Sequence, residues 1–422
     1  MEGEVAGESS LATRPSGLSF IFSPLSFPRV PLAVPYWSRA TYRDIFRSIL
    51  SGSIVDGAEL EKLRSLIRET LNVKTAILCG SGSLALELAL HGLGVRRGGE
   101  VIVPTFCCSA VVSPILAVGA TPVLADIGAD LNLTVETVDA ALTRNTRAII
   151  VPHLFGNPAD MAAIVELARS KNVLVIDDAA QALGATIDGQ PVGSFGDAGV
   201  LSFGREKVCF GLGGGALVSR NEVLPRAVLP QDLASPELSL TLREFLSVLI
   251  RHRWRRFTAP LLKLSSCSED PGAAPRPYRR ESMANLKAAT AATLMESLGE
   301  NIVARRARVH AYQELLGGDD RLQLIPHRTS SACLSQVVHV VPRRHGQDLA
   351  SDIVHALGDS GYEIQGSYVP IHLLDSFRGC VWDRLPYAER VWTDLIELPC
   401  EPSVDLDDVE RIAAIVKKGA HE

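Results

Sequence analysis

The chain has 422 residues, of which 46% are hydrophobic and 21% charged, and a formal net charge of −6. That is a globular composition with room for two or three domains; it excludes disorder of the whole chain and leaves no global basic footprint for nucleic acid. Glycines and prolines are scattered without period, which excludes a collagen-like fibre, and no run approaches the roughly 18 apolar residues of a spanning helix.

Residues 1–30 are rich in Ser, Gly and Pro without helical period, and read as a mobile tail. Glu2, Glu4 and Glu8 stand where a secretory signal would be basic, so export is not expected. Tyr42, Ile45, Phe46, Ile49 and Leu50 then follow helical spacing, and Ser51-Gly52 stops that helix. A second helix runs through Leu60, Leu63, Ile67 and Leu71. From 75 to 219 short apolar runs alternate with helical stretches. The runs are 75–78, 101–104, 122–125, 148–152, 173–176, 199–203 and 216–219, with helices such as 84–91 and 161–170 between them. Unalternating apolar strands separated by helices predict an α/β fold, a mainly parallel sheet covered on both faces. A helical insertion at about 220–270 breaks the rhythm. Leu242, Phe245, Leu246, Leu249 and Ile250 lie beside Arg251, Arg253, Arg255 and Arg256. A packed or interface helix with a solvated basic end is expected over 242–257, and a docking surface for an anionic ligand or peripheral membrane contact is the alternative. Residues 265–277 read as a linker. A long helix at 284–315 leads into a smaller C-terminal α+β region that ends in a helix at 409–417. The division expected is a tail at 1–30, a large domain at 31–270 and a small C-terminal domain at 271–422.

Three stretches carry candidate chemistry. Cys79-Gly80-Ser81-Gly82-Ser83 follows a strand and opens a helix. Small residues let an anion approach the backbone, and a helix N-terminus offers free N–H groups; a plain turn with an N-cap has the same appearance. Val175-Ile176-Asp177-Asp178-Ala179-Ala180-Gln181 ends a buried strand in two carboxylates, where open α/β sheets bind ligands. A buried carboxylate calls for a cation, such as a protonated pyridine nitrogen, unless it caps a helix. Ser202-Phe203-Gly204-Arg205-Glu206-Lys207 precedes the run Gly211-Leu212-Gly213-Gly214-Gly215. A lysine there is either a surface residue or an amine nucleophile for an aldehyde. In this order the three supply a phosphate cradle, a pyridinium partner and a Schiff-base lysine, the parts that pyridoxal phosphate (PLP) requires of its protein. The eight cysteines, at 79, 107, 108, 209, 267, 333, 380 and 400, form no CxxC pair and no group with zinc spacing, so no metal and a reduced, cytoplasmic setting are expected.

These motifs resemble the DegT/DnrJ/EryC1/StrS family of PLP-dependent sugar aminotransferases, of the fold type I PLP-dependent transferases. The likeness rests on Ser81 to Leu86, Gly99 to Cys107, Gly119 to Asp126, Val151 to Gly156, Val175 to Ala182, Ser202 to Gly214 and Leu398 to Pro402. The resemblance implies that Lys207 carries the Schiff base and moves the proton. It implies that Asp178 holds the pyridine nitrogen protonated, with Asp177 the outer and less critical acid, and that Gln181 contacts the ring. Gly82, Ser83, Leu84 and Ser202 would bind the phosphate, and Arg280, Tyr368 and His372 would meet the substrate. It further implies an amino donor such as glutamate, a keto sugar acceptor linked to a nucleotide, and a homodimer. Lys207 argues against the dehydratase relatives, which carry histidine there. Three positions depart from the pattern. Cys108 stands where an aromatic stacks on the ring, Leu212 where the glycine turn carries glutamate, and Arg280-Glu281-Ser282-Met283 where the family has Asn-x-Arg-Met. These departures keep open a PLP-binding regulatory protein without transaminase turnover.

Overall fold

The computed structural model describes residues 30, 35–221, 233–252, 277–342 and 348–422. Most of the expected tail, the linker and the part of the basic helix beyond His252 lie outside the described residues. Val30 does not behave as tail: it is buried and bridges to Tyr362, its N–H donating to Gly361 O at 3.1 Å.

Helix α1 (Arg39–Leu50) opens on a capping box between Ser38 and Thr41, and α2 (Glu59–Leu71) closes on Asn72 in the left-handed region. Strands and helices then alternate as the apolar runs require: β1 (Thr75–Cys79), α3 (Gly82–Gly92), β2 (Glu100–Pro104), α4 (Ser109–Ala117), β3 (Thr121–Ala125), α5 (Val135–Ala141), β4 (Thr146–Pro152), α6 (Met161–Ser170) and β5 (Leu174–Asp178). A short hairpin, β6 (Thr186–Ile187) and β7 (Gln190–Pro191), precedes β8 (Ala198–Ser202) and β9 (Gly215–Ser219). Seven of these strands form one sheet in the order β1-β9-β8-β5-β4-β2-β3. β9 runs antiparallel to both its neighbours and the other pairings are parallel. The ends of β1, β5 and β8 therefore share one edge, the edge where such sheets hold ligands.

Both faces of the sheet are apolar. α2 and α6 contribute Leu63, Ile67 and Ile164 to the core on one face, while α3 and α4 bring Leu84, Leu88 and Val112 to the core on the other. Helix α7 (Leu238–His252) packs Phe245 and Val248 against Ile45, Ile54, Leu286 and Leu212. The packed helix read at the insertion is thus present through His252. The helix expected over 284–315 is two: α8 (Asn285–Glu296) and α9 (Leu298–Leu316). Ser297 separates them, its hydroxyl donating to the carbonyls of Thr293 and Leu294 at 3.2 and 3.3 Å and competing with the backbone ladder. α8 is buried on nearly every side and packs against α1 and α2. The C-terminal region carries β10 (Leu322–Leu324), β11 (Ser335–Val340), α10 (Leu349–Asp359), β12 (Gln365–Gly366), α11 (Pro386–Val391), β13 (Leu395–Pro399) and α12 (Leu406–His421). Its four strands form an antiparallel sheet in the order β10-β11-β13-β12, over a core of its own that includes Val338, Ile353, Ile396 and Ile412.

Candidate active site

Register fixes the site. Cys79 and Ser202 both lie opposite Gly215, and Asp178 lies opposite Val200 one strand further. The turn after β1, the end of β8 and the end of β5 thus meet along one edge.

The turn packs tightly. A Cβ on Gly82 would lie 2.9 Å from Ser202 Cβ, and one on Gly80 would lie 2.8 Å from Glu281 Cγ. Ser81 caps α3, its Oγ accepting from the Leu84 N–H at 3.1 Å. The Leu84 amide, expected to bind phosphate, is thereby engaged by the helix's own cap. The Ser83 hydroxyl donates to Ala110 O at 3.1 Å. The first-turn amides of Gly82 and Ser83 precede the intrahelical ladder and need acceptors from elsewhere.

The two adjacent acids differ in kind. Asp177 is fully buried and satisfied at both oxygens. Oδ2 accepts from Gly193 N at 2.7 Å and Phe195 N at 2.8 Å, and Oδ1 lies 2.7 Å from His153 Nε2. His153 Nδ1 accepts from Ala159 N at 3.0 Å, which places the ring proton on Nε2, directed at Asp177. Asp177 is therefore not an outer acid. It ties the end of β5 to the 193–195 turn and to the end of β4. Asp178, also buried, accepts among the described residues a single hydrogen bond, from Ala180 N to Oδ1 at 3.0 Å. Burial pushes its carboxyl above the usual range, and the Ala180 bond and the nearby charge of Lys207 oppose that rise. Alternation along a strand sends the two side chains to opposite faces, and the acid left with spare acceptor capacity is the one that feels the charge of Lys207.

Lys207 is half-buried and, among the described residues, has no hydrogen-bond or ion-pair partner. Its loop is closed at Phe203, which donates to Gly214 O and accepts from Gly211 N and Gly213 N at 2.9 to 3.1 Å. Glu206, just before the lysine, has φ +60°, a conformation that a β-carbon disfavours and that marks a constrained segment. Gly213 and Gly214 follow at φ +102° and +100°, and Met283 Cε would lie 2.4 Å from a Cβ on Gly214.

Gln181 and Tyr368 meet: Gln181 Nε2 donates to Tyr368 Oη at 3.0 Å while its Oε1 accepts from Phe155 N at 2.9 Å. Tyr368 stacks on Phe155 at 5.7 Å and meets Phe106 edge-on at 5.8 Å. Phe106 is fully buried in this aromatic group, which gives it a packing role; Cys108 is half-buried at the head of α4. His372 Nδ1 lies 2.8 Å from Thr105 Oγ1, its Nε2 3.2 Å from Glu389 Oε1, and its ring 5.7 Å from Trp382. Burial lowers the His372 pKa, and Glu389 opposes the shift. Arg280 is brought to a different partner, Glu87 on α3, at 2.8 Å. Glu87 has no signal of its own in the sequence; His153 and Phe155 lie in the Val151–Gly156 stretch that carries the resemblance, without a role assigned to either there. Among the described residues Asp319, Asp320 and His421 come within reach of one another at the surface, where His421 Nε2 lies 3.0 Å from Asp319 Oδ2.

The model of the DegT/DnrJ/EryC1/StrS aminotransferase family matches residues 39–417. The chain belongs to this family. It is 28% identical to GDP-perosamine synthase of Caulobacter vibrioides, over 92% of this chain and 97% of that protein. It is 31% identical to a UDP-N-acetyl-3-dehydro-alpha-D-glucosamine 3-aminotransferase of Acidithiobacillus ferrooxidans, over 91% and 96%. Among solved structures, S. venezuelae DesV in complex with a ketimine intermediate superposes with a TM-score of 0.73 at 26% identity, covering 93% of this chain and 99% of that one. The protein is an aminotransferase that works with PLP. Its own residues fit that cofactor: a helix N-terminus whose turn leaves no room for a Cβ at Gly80 or Gly82, a buried carboxylate with spare acceptor capacity, and a lysine whose charge reaches that carboxylate and which has no partner among the described residues.

Proposed function

We propose that the protein transfers an amino group from glutamate to the ketone of a nucleotide-linked sugar, as a cytoplasmic homodimer, in polysaccharide or secondary-metabolite biosynthesis. The observation that carries the reading is the buried, under-satisfied Asp178, within the electrostatic reach of Lys207, in a sheet edge where Gly82 packs closely on Ser202. The names of relatives that act on nucleotide-linked amino sugars support the substrate class.

PLP, when bound, supplies an aldehyde that captures amines and a ring that accepts electrons from the carbon attached to the nitrogen. In this reading Asp178 holds a proton at the ring nitrogen. Lys207 Nζ would hold the aldehyde and, in turnover, would carry the proton to and from the amine-bearing carbon. The Gly82 and Ser83 amides and the Ser202 hydroxyl hold the phosphate. Gln181 orients the ring's edge and is itself held by Phe155 N and Tyr368 Oη. Tyr368 and His372 line the substrate side.

The purified protein is expected to be coloured, with the colour discharged by borohydride and absent in Lys207→Ala. Glutamate alone should convert the bound cofactor to its amine form, and a panel of nucleotide-linked keto sugars should return it. A reading as a PLP-binding protein without turnover is favoured by Cys108 at the ring-stacking position. It gains if the protein is coloured yet neither glutamate nor any other amino donor converts the cofactor.

A further inference from the structure

Glu87 lies on α3, little more than one turn below the residues that would hold the phosphate, and is 3% exposed. A carboxylate so buried needs compensation. Three groups face it. Tyr278 Oη donates to Oε2 at 2.7 Å, Arg280 Nη1 lies 2.8 Å from Oε1, and His91 Nε2 lies 3.7 Å from Oε1. Arg96 is the remaining charge near His91. The arginine and the tyrosine both come from one extended segment, and that segment is stitched to the turn after β1. Gly80 N donates to Glu281 O at 2.8 Å, Cys79 bridges Ser282, and the Glu281 side chain fills the space above Gly80. Met283, next along, packs on Gly214 of the lysine loop. The 278–283 segment thus touches both halves of the cofactor cradle, and Glu87 is its anchor inside the protein.

We propose that Glu87, Tyr278 and Arg280 form a clamp that positions the phosphate turn, with Arg280 serving as the counter-charge of Glu87 rather than as a substrate ligand. These are positioning residues: they act through Gly80 and the start of α3. The proposal rests on the PLP reading of the cradle but not on which ketone is aminated.

The test uses the full-length enzyme freed of cofactor and titrated with pyridoxamine 5′-phosphate, which binds without a bond to Lys207. Pyridoxamine, lacking the phosphate, is the control. Arg280→Met leaves the buried carboxylate without its cation. It should weaken pyridoxamine 5′-phosphate roughly tenfold, within the usual range of coupling between linked sites. Pyridoxamine binding should change little. Adding Glu87→Gln removes the stranded charge while keeping an acceptor for Tyr278, so the double variant should regain most of the lost affinity. Glu87→Gln alone, which removes the ion pair but strands no buried charge, should weaken binding less than Arg280→Met and covers the case in which the arginine variant does not fold. Unchanged cofactor affinity in both single variants, with a raised KM for the sugar nucleotide in Arg280→Met, would overturn the clamp and make Arg280 a substrate ligand. A double variant as weak as Arg280→Met would also overturn it. Failure to aminate any keto sugar would count against the proposed function and leave these binding results standing.

Discussion

Replacing Asp177 by asparagine isolates what the first of the two adjacent acids does. The carboxylate accepts from Gly193 N, Phe195 N and His153 Nε2, all in the interior. The amide is the same size but has one oxygen. Turned toward the two backbone donors, it presents NH₂ to a histidine nitrogen that already carries a proton, and that tautomer is fixed by Ala159 N on the far side of the ring. Turned the other way, it presents NH₂ to two N–H groups. Either way a buried donor is stranded and charge-assisted bonds are lost, a cost of about 3–5 kcal/mol. Asp178→Asn strands no protein donor beyond Ala180 and relieves the burial of an acid, so its unfolding midpoint should stay near wild type. Its turnover should fall by roughly 10²–10³-fold, as when a preorganised charge is removed from a reaction centre. Urea unfolding of both cofactor-free variants gives the stability, and single-turnover conversion with glutamate, normalised to folded protein, gives the chemistry. Wild-type stability in Asp177→Asn, or equal turnover losses per folded molecule, would refute the division of labour.

Gly82→Ala places a methyl 2.9 Å from Ser202 Cβ, so despite better helix propensity the turn must open. The overpacking should cost about 1–3 kcal/mol and show as weaker pyridoxamine 5′-phosphate binding in the same titration. Glu401 lines a small cavity with Glu206, Glu363 and Glu397, and burial pushes its carboxyl up to about 7, with Arg305 opposing and Glu397 and Glu206 reinforcing. Because the folded state holds that proton more tightly than the unfolded chain, stability should fall by about 1–3 kcal/mol as pH rises from about 4.5 to 7, and level off above. Glu401→Gln should flatten this segment of the midpoint-against-pH curve; an unchanged slope would contradict the assignment.

The strands were legible because buried parallel strands must be continuously apolar, and each of the seven runs read from sequence is a strand within two residues at either end. The three candidate stretches were legible because chemistry confines them to strand ends. What could not be read is what depends on partners distant in sequence. Asp177 and Asp178 look alike in the chain; only the 193–195 turn and His153, folded against one of them, tell the satisfied acid from the one with spare acceptor capacity. Arg280 could be placed in a loop by its neighbours, but its engagement with Glu87 depends on α3 passing beneath that loop. The break at Ser297 was missed because helical periodicity continues through it, while the hydroxyl's competition for two carbonyls leaves no mark on hydrophobic spacing.

The glycine turn shows why a motif departure need not mean a lost function. Leu212 occupies a position where the family pattern has glutamate, and taken alone it suggests a degraded site. In the fold it sits in a cluster with Phe245, Val248, Ile45, Ile54 and Leu286, so the helix contributed by the insertion rests directly on the lysine loop. A charged side chain there would be buried among five apolar neighbours, a cost that leucine avoids. Nearby, Lys287 on α8 is buried and pairs with Glu244 of α7 at 2.7 Å, and a Cβ on Gly213 would come within 3.6 Å of Lys287 Nζ. The inserted helix therefore meets the loop through an apolar cluster and is tied to α8, beside that loop, by one ion pair. The loop that carries Lys207 is thus held by α7 on one side and by the 278–283 segment, through Met283, on the other.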